Sequence, residues 1–336
     1  MDKQYDVYGL GNALVDTEVQ VEETILISQK LEKGVMSLVS QDFQEQLLTA
    51  LDGRHRLEAA GGSAANTVVG VALFGGTAFY TGKVGSDMAG ALYRESMAEV
   101  GVEFDVEADG GPTGTCVILV TPDGERTMQT SLGSSTSLGA SDVDADRLAK
   151  SHTLYVEGYL WGGPNTEAAA LHAMELAKVA GASVALSFSD PGMVQHAGDS
   201  LRKATKEHVD IVFCNEHEAR LYSGTDSRED AIRQVGQDCP MVFMTCGGDG
   251  SLVYDQGQIT EVAPHKVPVV DTTGAGDVYA AGVLYGLTHG MTPEQAGVLG
   301  SYASAKIVSG MGPRLKDSLA DQIDAILNGA HPPGSG

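Results

Sequence analysis

Two aspartates, Asp271 and Asp277, bracket the run Gly274-Ala275-Gly276 in the stretch VVDTTGAGDVYAAGVLYGL. A glycine-rich turn that opens an apolar, helix-like segment presents backbone N–H groups at the positive end of a helix dipole, and so collects anions. The amides of Gly274, Ala275 and Gly276 would suit the charge that develops on a transferring phosphoryl group. Asp277, in the helix's first turn, is then placed to accept the proton of an attacking hydroxyl. Taken alone, the same aspartate reads as the N-cap of a buried helix.

Other stretches carry polar groups where a strand gives way to a turn. GLGNAL puts Asn12, and shortly after it Asp16, beyond the carboxyl end of a strand, where open α/β sheets bind ligands. A carboxylate there suits adjacent hydroxyls, because it accepts two hydrogen bonds. The third glycine of a dinucleotide fingerprint is replaced by Leu14, which argues against a nicotinamide or flavin fold. In AAGGSAANT, Gly61 and Gly62 allow a backbone to approach a ligand closely, Asn66 lies in the first turns of the helix, and Ser63 reads as its cap. FCNEHEARLY places Asn215, Glu216 and Glu218 at the end of a buried strand. They could order water around magnesium, or simply be the acidic first turn of a helix. TCGGDGS brings Thr245, Gly247 and Gly250 into a turn whose bare amides suit a nucleotide, although a plain hairpin explains the glycines equally well. TGKVG, Thr81 to Gly85, lacks the first glycine and the Ser/Thr of a P-loop, so ATP would have to be held without one.

The elements that position these groups alternate. YDVYGL, AFYTGKVG, HTLYVEG, ASVALSF, VDIVFCN and PMVFMTC read as apolar strands, separated by helical stretches such as TEAAALHAMELAKVAG. That rhythm predicts a mostly parallel sheet covered by helices on both faces. Two regions break it: DTEVQVEET, and the span from Val102 to TMQTS with a hairpin at Pro122-Asp123-Gly124, where polar and apolar residues alternate. They predict a small accessory sheet. One domain over residues 1–330 is expected, with lid strands from about 14–21, 34–40 and 101–130. Residues 331–336 read as a disordered tail.

The 336 residues carry 21 Lys and Arg against 45 Asp and Glu, a formal net charge of −24. Nucleic acids and anionic membranes are bound through clustered Lys and Arg, so neither is an expected partner. A phosphate ligand held by backbone amides and a metal ion stays open. Cys116, Cys214, Cys239 and Cys246 show no metal-binding spacing. With no signal pattern and no run of ~18 apolar residues, the default expectation is a cytoplasmic enzyme.

Together, DTTGAGD at 271–277, AAGGSAANT at 59–67, NEHE at 215–218 and the TCGGDGS turn resemble, in order, the signatures of the ribokinase family, also called PfkB carbohydrate kinases. The resemblance runs from about Tyr5 to Arg314. It implies a Rossmann-like three-layer α/β/α domain with a β-sheet lid, ATP as phosphoryl donor and Mg²⁺ as helper. By position, Asp277 matches the family's catalytic base and the 274–276 amides its anion hole. Asp16, Gly62 and Asn66 match substrate-hydroxyl contacts. Asn215 and Glu218 match the pair that tunes Mg²⁺ and phosphate, with Glu218 acting on the metal indirectly. Thr245, Gly247 and Gly250 would line the nucleotide, and Asp271 would help hold the monovalent cation, K⁺, that some members use. G-N-x-L-x-D, GGS and TPDGERTM look most like the adenosine kinase branch, in which Arg126 would reach from the lid toward phosphates or substrate. Val278-Tyr279 departs from the small residue and Phe that commonly follow the base. Met36, Leu38, Leu132, Tyr159 and Trp161 are candidates for contacting a base or aglycone. The expected reaction is phosphorylation of a primary hydroxyl on a nucleoside or furanose sugar, by a monomer or homodimer. A simple sugar kinase and a non-catalytic ligand-binding protein are the alternatives.

Overall fold

The computed structural model describes residues 3–105, 107–108 and 110–333. The strands are β1 (Tyr5–Leu10), β2 (Leu14–Gln20), β3 (Met36–Leu38), β4 (Arg56–Gly61), β5 (Ala78–Thr81), β6 (Gly114–Val120) and β7 (Arg126–Ser131). They continue as β8 (Ser151–Glu157), β9 (Ser183–Ser187), β10 (Ile211–Asn215), β11 (Met241–Thr245), β12 (Ser251–Asp255) and β13 (Gln258–Val262). The main sheet has the order β13-β12-β11-β10-β9-β8-β1-β5, parallel from β11 to β5 and antiparallel at the β12–β13 edge. Helices cover both faces. One layer packs around Leu10, Leu154, Leu186 and Met244; the other, around Val7, Tyr155, Phe213 and Phe243. Strands buried on both sides have no reason to alternate, which is why these runs are apolar throughout.

The second sheet has the order β3-β7-β6-β2-β4. Its outer face packs Val19, Val117 and Leu119 against Leu47 and Leu51 of the Gln41–Ala50 helix and the residue after it. Its other face carries Leu14, Asp16 and Glu18 beside Cys116, Ile118 and Met128, in the register Asp16↔Cys116 and Glu18↔Ile118. The period of two in a strand is what separates these two sets.

Sequence and structure differ at two places here. Strand β4 was not anticipated: RLEAAG has no β-branched residue, and it is a strand because it pairs antiparallel with β2 from Val19↔Arg56 to Leu14↔Gly61. The segment after Gly101, expected in the lid, instead joins the edge of the main sheet, where the Tyr80 N–H donates to the Glu103 carbonyl (2.9 Å) and the Glu103 N–H to that of Ala78 (3.1 Å). Val106 lies outside the described residues. In the tail, the Nδ1 atoms of His331 and His265 are 3.1 Å apart, and 334–336 lie outside the described residues. All four cysteines are free. Among the described residues no helix is long and apolar enough to cross a membrane.

Candidate active site

Parallel strands bring their carboxyl ends to one edge, and several candidate residues are the last of their strands. Asn215 ends β10 and is in register with Thr245, which ends β11; Glu157 ends β8. Asn12 follows β1 directly. This edge, the lid's inner face and the 271–277 turn enclose a cavity of about 420 Å³, within the usual range for small-molecule sites. Asn12, Asp16, Gly62, Asn66, Arg126, Asn215, Glu218, Thr245, Gly274, Ala275, Gly276 and Asp277 all line it.

The helix Ala275–Thr288 begins with Gly274 as N-cap, at φ 73° and with no side-chain cap, so Asp277 is not the cap that an isolated reading allowed. A side chain at 274 is excluded twice over. Its φ is left-handed, and a Cβ would fall 2.2 Å from the Pro313 carbonyl oxygen. The Ala275 N–H closes the turn on the Thr272 carbonyl at 3.3 Å, while those of Gly274 and Gly276 have no protein acceptor among the described residues. The cradle for an anion is therefore narrower than the three amides expected.

Asp277 faces the other wall. Ser63 Oγ donates to its Oδ1 at 2.7 Å and Asn66 Nδ2 to its Oδ2 at 3.0 Å. Both donors stand on the first turns of the Ser63–Leu73 helix, whose N-cap is Gly62, not Ser63. Gly62 has φ 93°, and a Cβ there would strike the Asn12 carbonyl oxygen at 2.1 Å. Burial pushes the Asp277 carboxyl up, and the Asn66 and Ser63 hydrogen bonds, with the fields of Arg126 and Arg314, pull it back.

Glu157, fully buried beneath Asn12, holds the two loops together and had not been singled out from sequence. Its Oε1 accepts from the Asn12 N–H (2.9 Å) and Nδ2 (2.8 Å), and its Oε2 from the Ala64 N–H (2.8 Å). Burial outweighs these donors and lifts its pKa to about 7. The signal available in the sequence was a lone acid closing an apolar strand, HTLYVEG.

Across the cavity, Asp16 lies over Gly61, its pKa raised to about 7, chiefly by burial and secondly by Glu18. Met36, Leu38, Leu132 and Tyr159 line the same cavity, whereas Trp161 is packed into the core with its Nε1 donating to Ser200 Oγ at 3.2 Å. Tyr279, at the position where the sequence departs from the family, also lines the cavity and donates to Ser251 Oγ at 2.8 Å.

Asn215 and Glu218 form a reciprocal capping box. Asn215 Oδ1 accepts from the Glu218 N–H (2.8 Å), and the Glu218 carboxylate accepts from the Asn215 N–H (2.9 Å) and Nδ2 (2.6 Å). Glu218 is buried, which lifts its pKa to about 7. Gly247 and Gly250 do not line the cavity. They shape a turn, with Gly250 at φ 94° where the Val262 carbonyl passes closely, and beyond it lies a second cavity lined by Arg228, Cys246, Asp249 and Pro264. Asp271 lies behind the 274–276 turn as a loop tie: Oδ1 accepts from the Thr273 N–H (2.9 Å) and Oγ1 (2.6 Å), and Oδ2 from the Gly312 N–H (3.1 Å).

Residues 40–319 match the family model described as pfkB family carbohydrate kinase. A probable sugar kinase from Rhizobium etli CFN 42 is 35% identical and superposes with a TM-score of 0.93 over 97% of this chain and 99% of that one. Adenosine kinase from Sinorhizobium meliloti is 37% identical, with a TM-score of 0.92 over 96% and 99%. A fructokinase of Escherichia coli is 30% identical over 249 residues, 72% of this chain and 81% of that protein.

Proposed function

This chain belongs to the PfkB family of carbohydrate kinases, phosphotransferases that use ATP and an alcohol acceptor, and from that premise we propose that it phosphorylates a primary hydroxyl of a ribosyl nucleoside or related furanose sugar. The observation that carries the acceptor class is the composition of the cavity's lid wall. Asp16 sits beside Cys116, Ile118, Met128, Met36 and Leu38, an apolar surface that a bare sugar would not cover. A ribosyl ring held at Asp16, Asn12, Gly62 and Asn66, with an apolar or aromatic aglycone against that wall, uses both parts. The adenosine kinase of 37% identity supports this reading.

In the proposed reaction Asp277 accepts the proton of the acceptor hydroxyl as its oxygen attacks the γ-phosphorus. The bond to the β,γ-bridging oxygen breaks and ADP leaves. The Gly274 and Gly276 amides and the helix dipole hold the transferring group's charge. Arg126, on the lid, faces the same group. Lid closure keeps out the water that would otherwise compete as acceptor. Thr245 and Asn215 stand on the nucleotide side, with Gly247 and Gly250 shaping the turn there.

The described residues contain no cluster of three or more His, Cys, Asp or Glu side chains that could hold an ion. Asn215 and Glu218, on the cavity lining, would act on the waters of a magnesium ion carried by ATP, whose charge would neutralise that of the phosphates. A monovalent ion beside Asp271 would meet Oδ2, which accepts only from the Gly312 N–H and keeps a second acceptor site, whereas Oδ1 is taken up by Thr273.

The second reading, a simple sugar kinase, is favoured by the Escherichia coli fructokinase and the Rhizobium etli sugar kinase. ADP release with ATP and Mg²⁺ across nucleosides, ribose, fructose and amino sugars decides between them. Turnover of fructose or ribose well above any nucleoside overturns the first reading. Binding without turnover across the panel would favour a protein that keeps the fold without its chemistry.

A further inference from the structure

We propose that Arg314 is a positioning residue for proton transfer, locking the Asn66 amide in the orientation that donates to Asp277. The proposal rests on Asp277 being the base. Arg314 is half-buried in the segment that follows the Pro293–Val308 helix. Its Nε donates to Asn66 Oδ1 at 2.9 Å, and one terminal nitrogen donates to Ser96 Oγ at 3.0 Å. The other terminal nitrogen lies 3.9 Å from Met97 Sδ. Asn66 in turn donates from Nδ2 to Asp277 Oδ2 at 3.0 Å.

The lock follows from donor and acceptor inventories. A guanidinium only donates, an ionised carboxylate only accepts, and an amide has one end of each kind. With Arg314 on one side and Asp277 on the other, Asn66 has one workable orientation. Flipped, its NH₂ would face the guanidinium and its oxygen the carboxylate, turning two attractions into two repulsions. Without Arg314, only Asp277 would orient the amide, and an Asp277 that had taken up a proton would no longer do so.

The neighbouring residues work on the same unit. The Gly312 N–H ties Asp271, and the Pro313 carbonyl packs on Gly274. Three consecutive residues thus reach the first residue and the middle of DTTGAGD and, through Asn66, its final aspartate. The charged and titratable groups around Asp277 are Arg126 on β7, Asp16 on β2, Tyr155 and Glu157 on β8, Tyr159 just after β8, and Arg314. Tyr80 and Tyr93 face Arg314 from behind. Only the two arginines are cations, and Arg314 alone is also bonded to a residue that holds the base.

The test is kcat against pH for the wild type, Arg314→Gln and Arg314→Lys at saturating ATP and acceptor. The wild type loses activity as the pH falls through the pKa of Asp277. In Arg314→Gln that acid limb moves up by about one pH unit, the low end of what a neighbouring opposite charge does. Activity below the limb then falls about tenfold while most of it returns at high pH. Arg314→Lys, which keeps the charge and one donor, falls between, and the KM for ATP stays put in both. If thermal melts show that Arg314→Gln does not fold, the lysine variant carries the same comparison. An unmoved limb with kcat lowered equally at every pH, or a glutamine variant identical to wild type, overturns the proposal. A wild-type profile with no acid limb overturns the reading of Asp277 as base instead.

Discussion

On the core side of the cavity, Asp277, Glu157 and Glu218 each accept hydrogen bonds from the protein itself; on the lid side, Asp16 and Glu18 accept none among the described residues. All five are pushed upward by burial, so desolvation does not separate the two groups. What separates them is who supplies the donors. The core carboxylates are oriented before any ligand arrives, as a catalytic constellation needs to be. Asp16 is oriented only by what it meets. On the proposed function, the chemistry belongs to the core and the choice of acceptor to the lid.

The largest expected effect tests the core. Asp277→Asn should lower kcat by about 10²–10⁴, the usual worth of a positioned base, with ATP affinity by calorimetry largely kept; near-normal turnover would break the comparison at its centre. Asp16→Asn should reduce kcat/KM for the acceptor by about 10–100-fold, from hydrogen bonds to a charged group worth about 1.5–3 kcal/mol. Steady-state kinetics should put most of that loss in KM. A loss confined to kcat would move Asp16 to the catalytic side of the division. Gly274→Ala forces a Cβ against the Pro313 carbonyl at a positive φ and should cost about 1–3 kcal/mol in denaturant melts. Unchanged stability would mean that the turn is not held rigidly.

The smallest effect belongs to Glu18, which is 3% exposed, with neither oxygen partnered. Burial first, then Asp271, lift its pKa to about 7, above that of an unfolded-chain glutamate. A group raised on folding favours the folded state below its unfolded pKa, and that benefit is lost as pH rises through about 7. Glu18→Gln should therefore stabilise the protein by about 1 kcal/mol at pH 8 and by little at pH 5. Equal melting curves for mutant and wild type at pH 8 would show that Glu18 is compensated in solution.

How much of this was legible in the sequence depends on how local each feature is. The 274–277 turn could be read because turn, helix start and acid lie within a few residues. The paired and buried strands could be read because both faces are covered. Asp16 was expected just beyond a strand's carboxyl end and instead lies within β2, facing the cavity, because that segment pairs with β4 and β6. Strand β4 could not be read, since its conformation is set by β2 and not by its own residues. Ser63 was read as a cap, yet the helix is capped by Gly62 and the hydroxyl serves Asp277, 214 residues away in sequence. Arg314 reaches Asn66 across 248 residues, a pairing no spacing rule proposes. Gly247 and Gly250 were legible as a turn because glycines are local signals, whereas what the turn borders is set by distant strands.

The chain lines the cavity between Thr272 and Tyr279, runs out along one helix, returns along the next and passes behind the turn at Gly312. Ser63 and Asn66, which hold Asp277, thus precede the turn in synthesis, whereas Gly312, Pro313 and Arg314 follow it. A nascent chain that has emerged only as far as Leu287 has the turn, Asp277 and its Ser63 and Asn66 donors, but not the Gly312 N–H or the Arg314 guanidinium. On the proposed mechanism, ribosome-stalled chains of that length should transfer phosphate more slowly than the released protein, which a labelled-ATP assay checks.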